Sequence, residues 1–397
     1  MPTPPTSANA LALVRILERQ PRWSGVASAA DAVGLRGQVL LHAGPPLSDP
    51  TRPPPAMRNA AVLACLHEGW AADEAAAESL IRGGAVRLEP GFAHRVATPL
   101  VSLVGPRTTL AVIDDGVDGA ARWFGFLGTG AGAQMRFGAR DRAILGRLEL
   151  REREQLPGFA ELLAAGPVDL LSVARSALTE GDDLHNRLSS ATQVLHAVLA
   201  TRKGESDVAK AALNTVLEAP LYFLNLWMPA CALMLDAAVG VAGSTLVTSV
   251  SANGERVAVR VAGLPDHCFT APATLVRGPF MKGAPADPQF PPVTGDSGII
   301  DAFGLGGQVL RRAPSLLVAF EPWLAEDDAA RARAMLAGLH PVLGVEVGVD
   351  AAVVAETGRA PLLSTGMVSA DGRGLLGRGV CEMPTGPFAE AVRCLRK

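Results

Sequence analysis

Apolar residues recur at helical spacing in two segments near the start of the chain. Leu11, Val14 and Leu17 follow one another at intervals of three, which predicts a helix over residues 9–20. An alanine-rich stretch at residues 56–80 predicts a second helical region with one break. Short apolar runs predict strands at residues 38–41, 85–88, 97–104, 109–113 and 123–127.

The middle of the chain changes to helical spacing. Over residues 141–217, apolar and charged residues alternate at intervals of three and four, which predicts a largely helical region. The next stretch, residues 220–250, is the most apolar part of the sequence, but Pro229, Asp236 and several glycines interrupt it. Because a membrane-spanning helix needs about 20 uninterrupted apolar residues, we interpret this stretch as a buried helix at 221–238 followed by a buried strand.

The last part of the chain mixes strands and helices. Strands at residues 244–251 and 255–263 are joined by Asn253-Gly254, a dipeptide that tolerates the positive φ of tight hairpin turns. Residues 264–296 are proline-rich and predict loops, and a helix is expected to begin near Ser297. Beyond it the pattern predicts helices at residues 326–339, 351–356 and 387–395 and strands at 342–347 and 361–365.

Helices and strands that alternate around a central helical block are typical of α/β or α+β proteins. We therefore predict an α/β (mixed α+β) fold with several domains, namely two α/β lobes and a central helical subdomain. The predicted boundaries are residues 1–140 for the N-terminal α/β domain, 141–219 for the helical subdomain and 220–397 for the C-terminal α/β domain.

Composition and charge narrow the functional class. The chain has 397 residues, of which 49% are hydrophobic and 19% charged, so it is too apolar for a disordered protein. With 36 Lys and Arg against 39 Asp and Glu, the net charge is −3, which argues against a nucleic-acid binder. The five cysteines show no CxxC or disulfide-like spacing, and the first residues lack the pattern of a signal peptide. We therefore predict a cytoplasmic protein that binds neither membranes nor nucleic acids.

Sequence motifs of common metal and cofactor enzymes do not occur in the chain. The seven histidines form no HExxH or HxH motif and no zinc-like spacing with cysteine. There is neither a GxSxG nucleophile motif nor a GxxxxGK[ST] phosphate loop. We therefore expect no metal and no cofactor.

A glycine-rich loop at residues 128–133 leaves three interpretations open. It follows a predicted strand as a dinucleotide-binding loop would, which would suggest a nucleotide-dependent oxidoreductase, but no strand ending in an acidic residue follows about 20 residues later. Its backbone N–H groups could instead bind an anion, with Arg136 as a bidentate partner for a carboxylate or phosphate. The third interpretation is a tight turn beside a solvated arginine.

The densest group of polar residues is the segment 181–187, where a loop is expected to enter a helix. Asp182 and His185 are three residues apart, so the carboxylate could orient the imidazole. Asn186 and Arg187 add amide and guanidinium donors. An ordinary capped helix would use the same residues, but the variety of hydrogen-bonding groups favours a site with His185, Asp182 and Arg187 as catalytic candidates.

Isolated polar residues elsewhere add candidates for substrate binding. A buried amide is costly unless it is hydrogen-bonded, so Asn225 either ties backbone together or faces a ligand. Asp296 and Ser297 precede a helix whose N-terminus could bind an anion or simply be capped. His42 ends a strand and is either a general base or a structural histidine. The remaining candidates are Ser244, Thr245, Thr248 and Asn253, which otherwise form the polar face of a strand and its turn.

Ten short segments occur in an order that points to one family. They are HAGPP at residues 42–46, GDDLHNR at 181–187, LNL at 224–226, MLDAA at 234–238, GSTLVT at 243–248, NG at 253–254, FTAPA at 269–273, GDS at 295–297, VAETG at 354–358 and STG at 364–366. In this order and spacing, the chain resembles the YlbE-like family, formerly a domain of unknown function. That family includes the AllG-type subunits of bacterial oxamate carbamoyltransferase, and the resemblance covers nearly the whole chain.

The resemblance implies a fold, a reaction and partners. It implies a multi-domain α/β protein and the conversion of oxalurate and phosphate to oxamate and carbamoyl phosphate. It also implies an oligomeric complex with an FdrA-like subunit, related to acyl-CoA synthetase α-subunits, and an AllH-like subunit. Such a reaction needs donors for a carboxylate and a phosphate and a polarised carbonyl, and Arg136, His185, Asn186 and Arg187 are donors of that kind. The alternative is a non-catalytic scaffold that docks the FdrA-like partner.

The sequence departs from the family pattern at three places. Ala133 stands where the family usually carries a lysine, residues 98–102 replace a Gly-Pro-Met-Ala-Gly run, and residues 299–301 read Ile-Ile-Asp in place of Thr-Glu-Thr. The loss of a cation and two polar groups leaves open a paralogue that acts on another amide, ureido or acyl substrate.

Overall fold

The computed structural model of the chain describes residues 7–117, 121–202 and 204–397. Helices and several β-sheets occur together over those ranges, which confirms the predicted mixed α/β class. The α-helices are α1 (Ala8–Leu17), α2 (Ala29–Ala32), α3 (Pro55–His67), α4 (Glu74–Arg82), α5 (Ala143–Leu163), α6 (Leu170–Thr179), α7 (Ser189–Ala200), α8 (Asp207–Glu218), α9 (Leu224–Asp236), α10 (Gly298–Phe303), α11 (Pro314–Phe320), α12 (Asp328–Met335), α13 (Ala351–Thr357) and α14 (Gly386–Leu395). Short 3-10 helices lie at Gly91–His94, Met135–Phe137, Gly306–Arg312 and Glu321–Trp323.

The strands form five separate sheets. They are β1 (Arg22–Ser28), β2 (Val39–His42), β3 (Arg87–Pro90), β4 (Val96–Ala97), β5 (Thr109–Asp114), β6 (Trp123–Phe126), β7 (Val168–Asp169), β8 (Val247–Asn253), β9 (Arg256–Val261), β10 (Phe269–Pro272), β11 (Thr294–Gly295), β12 (Leu336–Leu339), β13 (Glu346–Val349), β14 (Leu362–Val368) and β15 (Leu375–Glu382). One sheet has the order β4-β6-β5-β1-β7, and a second, fully antiparallel sheet has the order β10-β9-β8-β11. The pairs β12-β13 and β14-β15 are antiparallel, and β2-β3 is parallel.

Helix α9 lies at the centre of the largest hydrophobic core. Every residue from Leu224 to Leu235 is buried, and the helix contacts the two larger sheets through β6, β5 and β8. Pro229 is accommodated inside the helix. The apolar stretch therefore forms a buried helix followed by a strand, as predicted. Among the described helices, none is long and apolar enough to cross a membrane.

The predicted helical block also forms. Helices α5 to α8 occupy most of residues 143–218, interrupted by the two-residue strand β7. Apolar residues of these helices share a core with α9 and with the central strands, for example Phe159 and Leu195. The proposed division into three domains remains a prediction.

The predicted strand at residues 97–104 is wrong beyond its first residue. Strand β4 ends at Ala97, and the chain continues as a loop in which Leu100 has a left-handed φ of 51°. Pro99 cannot donate to a strand ladder because it has no N–H group. This loop is pressed against Gly295, whose φ is +116° and where a Cβ atom would lie 2.7 Å from the Leu100 nitrogen.

The sequence pattern predicts neither strand β1 nor strand β15, and it misplaces the end of one helix. Strand β1 has a β-bulge between Trp23 and Gly25, which interrupts the alternation of apolar and polar residues. Strand β15 contains two glycines, which weaken the strand pattern. The helix predicted at residues 326–339 ends at Met335, and the chain then forms strand β12.

Candidate active site

A buried loop at residues 182–188 carries the densest polar cluster into the interior. The carboxylate of Asp183 accepts hydrogen bonds from the backbone N–H groups of His185, Asn186 and Arg187 at 2.8–3.0 Å. Its second oxygen accepts from the hydroxyl of Ser364 at 3.0 Å. These bonds fix a tight turn in place of the predicted first helical turn, and helix α7 begins only at Ser189.

His185 is paired with a carboxylate that the sequence did not identify. Its Nδ1 lies 2.8 Å from Oδ2 of Asp301 on helix α10, and both side chains are buried. The other oxygen of Asp301 accepts from the N–H groups of Gly307 and Ser364. Asp301, rather than Asp182, therefore orients the imidazole. Although burial alone would lower it, the facing carboxylate raises the pKa of His185 above 6.5.

Arg136 is a buried cation without a counter-ion among the described residues. The residue is 3% exposed, and its Nε and Nη1 atoms find no hydrogen-bond partner within the described ranges. Burial, with a smaller contribution from Arg151, lowers the pKa of Arg136 to about 9. The guanidinium carbon lies 4.6 Å from the ring centre of Phe137. An unpaired buried charge is costly, and an anion bound beside this side chain would offset that cost.

Arg136 and His185 line the same small cavity, which we call the central pocket. Its other walls come from segments far apart in the sequence. The lining residues are Pro99, Leu100, Arg136, Phe137, His185, Asn186, Leu221, Leu224, Ser297, Thr365, Gly366, Leu375 and Arg378. The cavity measures about 30 Å³, which is room for one or two waters. A larger ligand requires lining side chains to move.

Four of the sequence candidates meet in the central pocket: Arg136, His185, Asn186 and Ser297. The amide nitrogen of Asn186 lies 2.9 Å from the hydroxyl oxygen of Ser364, to which it donates, and it also contacts the carbonyls of Thr365 and Gly379. Because Nδ1 of His185 faces the Asp301 carboxylate at 2.8 Å, Nε2 is the ring nitrogen left for a ligand. The pocket thus combines a cation, an imidazole and neutral polar groups.

Sequence reasoning missed three residues of this site: Asp301, Thr365 and Arg378. Arg378 donates from Nη1 to the backbone carbonyl of Asn186 at 2.7 Å and adds a second guanidinium to the pocket. Asp301 lies in an apolar run, where only its departure from the family pattern marks it. Thr365 belongs to the STG segment that contributes to the family resemblance, and this segment is the signal that could have identified it.

Asp182 and Arg187 lie outside the central pocket and contact each other. Asp182 accepts from Nη1 of Arg187 and from the N–H of Ala191 at 2.8 Å. Arg187 also donates to the carbonyl of Glu180. Burial raises the pKa of Asp182 to about 6. The pair closes the turn before helix α7.

The glycine-rich loop is held by arginines through its carbonyl groups. Arg151 donates to the carbonyl of Gly128, and Arg147 donates to that of Ala133. Asn225 approaches the loop from α9, and its amide nitrogen donates to the hydroxyl of Thr129 at 2.8 Å. The arrangement matches the tight-turn interpretation, except that the neighbouring Arg136 is buried.

His42 and Asp296 are both buried, and both lie next to the loop that follows strand β2. Nδ1 of His42 lies 2.7 Å from the carbonyl oxygen of Ala43, and burial lowers the pKa of the ring. Asp296 accepts from the N–H of Gly44 and from the N–H and hydroxyl of Thr98. Burial raises the pKa of Asp296 to about 6. Asp296 therefore joins the loop after β2 to the loop after β4.

The candidates near the β8-β9 hairpin are separated from the central pocket. The hydroxyl of Ser244 and the N–H of Thr245 both donate to Oδ1 of Asn9, which fastens helix α1. Asn253 caps the hairpin by accepting from the N–H groups of residues 255 and 256, and it donates to the carbonyl of Pro45. Thr248 lines a different groove. Among the described residues, no cluster of three or more His, Cys, Asp or Glu side chains is arranged to hold a metal ion.

Comparison with known proteins places the chain in a family. The family profile described as "Oxamate carbamoyltransferase subunit AllG" matches residues 86–297, a range that includes Arg136, His185 and Ser297. The oxamate carbamoyltransferase subunit AllG of Escherichia coli (strain K12) is 30% identical, over 98% of this chain and 97% of that protein. The chain belongs to the AllG family.

Two further relatives of this AllG-family chain are uncharacterised. The protein YahG of Escherichia coli (strain K12) is 28% identical, over 97% of this chain and 85% of that protein. The crystal structure of a conserved protein of unknown function from Enterococcus faecalis V583 superposes with a TM-score of 0.88 at 27% identity, covering 98% of this chain and 97% of that one. The AllG-family fold is therefore shared over nearly the full chain.

Proposed function

We propose that this chain is a catalytic subunit of a carbamoyltransferase that converts oxalurate and phosphate to oxamate and carbamoyl phosphate, or a paralogue that acts on a related ureido or amide substrate. The observation that carries the proposal is the buried, unpaired Arg136 in one pocket with the His185–Asp301 pair. A cation without a counter-ion suits an anionic substrate, and a second guanidinium from Arg378 suits a second anionic group.

The reaction can be written with these side chains in defined roles. A phosphate oxygen attacks the carbamoyl carbon of oxalurate, the new C–O bond forms, and the C–N bond to the oxamate nitrogen breaks. That nitrogen leaves with the electron pair and needs a proton. Protonated His185, whose pKa is raised by Asp301, donates this proton from Nε2 as a general acid and takes one back from the phosphate. Arg136 and Arg378 hold the carboxylate and the phosphate.

The pocket draws on all three predicted domains. Arg136 lies in the proposed domain 1–140, His185 and Asn186 lie in 141–219, and Ser297 and Arg378 lie in 220–397. In our proposal, relative movement of two α/β lobes and a helical subdomain enlarges this small cavity for the substrate. The relative named AllG is a subunit, so we propose that this chain works with other subunits, specifically an FdrA-like and an AllH-like protein.

A purely scaffolding role would not explain why Arg136 is buried without a counter-ion among the described residues. We therefore favour catalysis and expect the assembled enzyme to form carbamoyl phosphate from oxalurate and phosphate. Arg136→Gln lowers turnover at least about 100-fold, because removal of a buried charge-assisted contact costs about 3 kcal/mol. Arg175→Gln on the exposed face of α6 is the control, since it removes the same charge far from the pocket. Equal turnover by both variants would show that this chain is a scaffold.

A further inference from the structure

A second, larger cavity contains the one sequence candidate that remains without a role, Thr248. This groove measures about 1060 Å³ and is lined by Arg95, Arg122 and Arg260, so we call it the arginine groove. Its lining also includes His94, Trp123, Thr248, Ser249, Asp236 and Asp266. Among the described lining residues, three guanidiniums and two carboxylates give a net charge of +1.

Two adjacent hydroxyl side chains line the buried part of the arginine groove. Thr248 is 6% exposed and Ser249 is 3% exposed. Neighbouring residues of a regular strand point to opposite faces, but strand β8 has a register shift between Val247 and Ser249. This bulge brings both side chains to the same cavity.

Arg260 lies on the strand next to the two hydroxyl residues. It is the cross-strand partner of Ser249 on β9. Within the groove, Asp236 lies 3.7 Å from Nε of Arg95 and 3.4 Å from the indole nitrogen of Trp123. Arg122 and Arg260 are then the groove guanidiniums that form no ion pair with another described residue. Guanidinium and hydroxyl donors in one groove suit the oxygen atoms of a phosphate group.

We propose that the arginine groove binds a phosphate group, carried either by free phosphate or by a phosphate monoester. The groove includes Ala232 and Asp236 near the C-terminal end of α9, whereas the central pocket includes Leu224 at its N-terminal end. Along α9, the groove-lining Ala232 comes eight residues after Leu224, a rise of about 12 Å. A ligand in the groove is therefore too far away to react at His185, and it acts as an effector rather than as a substrate.

Calorimetric titration of the full chain tests this site in an Arg136→Gln background, which removes the central pocket as a competing anion site. The probes are inorganic phosphate and AMP, a small phosphate monoester. We expect binding that is weakened at least tenfold by adding Arg260→Gln and about as much by adding Ser249→Ala. Arg256→Gln removes the same charge from the same strand outside the groove and leaves binding unchanged.

The two probes separate the two possible sources of the phosphate group. Tighter binding of AMP than of phosphate assigns the groove to a monoester, and equal or weaker binding of AMP assigns it to free phosphate. The proposal is overturned if neither probe binds at millimolar concentration. That result would be expected if the natural occupant of the groove were an acidic protein segment. Binding that is unaffected by Arg260→Gln overturns it as well. Turnover of Arg136→Gln tests the proposed function separately.

Discussion

Two kinds of buried charge lie at the central pocket. His185 and Asp301 form a buried pair, whereas Arg136 is buried without a counter-ion among the described residues. Paired ionisable groups shift each other's pKa, and unpaired ones carry a cost in folding free energy. Replacing Asp301 is therefore expected to lower the pKa of His185, whereas replacing Arg136 by an apolar residue is expected to stabilise the fold.

Asp301→Asn removes the carboxylate that raises the pKa of His185. An opposite charge at this distance shifts a pKa by about 1–3 units, so the pKa of His185 falls in the variant. In its proposed role as a general acid, His185 acts below its pKa, so turnover is expected to fall as the pH rises through that pKa. The high-pH limb of the pH–rate profile of the assembled enzyme therefore moves to lower pH by at least about one unit. An unchanged limb, with reduced turnover at every pH, would mean that Asp301 only supports the fold.

Arg136→Met is expected to stabilise the fold while it abolishes anion binding. Replacing a buried unpaired charge by an apolar side chain of similar volume raises the free energy of unfolding by about 1–4 kcal/mol. The matched control is Arg331→Met, because Arg331 is also buried but lies 2.9 Å from Asp328, and its loss destabilises. Urea denaturation of both variants checks this. A destabilised Arg136→Met protein would indicate that Arg136 has a structural partner.

At the scale of elements, sequence patterns predict those whose burial is regular. Helix α9, helices α5 to α8 and the β8-β9 hairpin follow from helical spacing and from the Asn-Gly turn. Strand β1 does not, because its bulge breaks the alternation. The segment after β4 resembles a strand in sequence because it is mostly apolar, although Pro99 argues against one. In the structure Leu100 has a left-handed φ and the segment is a loop.

For the central pocket as well, the sequence identifies only those residues that a local pattern marks. Unusual polar types within short segments are enough to identify Arg136, His185, Asn186 and Ser297 as candidates from the amino-acid sequence alone. Asp301 and Arg378 could not be found in this way, because their partners lie on distant elements and nothing local in the sequence requires them. Spacing along a helix pairs Asp182 with His185, but the segment forms a turn built on Asp183.

The turn at residues 183–187 positions His185 in the central pocket. Asp183→Ala removes three hydrogen bonds to backbone N–H groups and one to Ser364. Because these groups are buried, we expect a loss of about 3 kcal/mol in the free energy of unfolding. Asp169→Ala, which removes the exposed cap of α6, costs about 1 kcal/mol. Equal losses in denaturant titrations of the two variants would show that the turn is not specially dependent on Asp183.

At the scale of the whole molecule, hydrogen bonds join segments that are far apart in the sequence. Asn9 of α1 donates to Thr245 and Asp350, and Asp296 joins two loops of the N-terminal part. Segments from widely separated parts of the chain also meet around Arg136 in the central pocket. The arginine groove, near the other end of α9, is much larger than the central pocket.

Binding of oxamate to the isolated full chain tests most directly whether the central pocket is an anion site. Isothermal titration at pH 7 is expected to show binding by the wild type and by Arg175→Gln with the same Kd. For Arg136→Gln we expect a Kd at least tenfold higher, because the buried guanidinium supplies the charge-assisted contact to the carboxylate. Equal oxamate affinity in wild type and Arg136→Gln would contradict the assignment of the pocket.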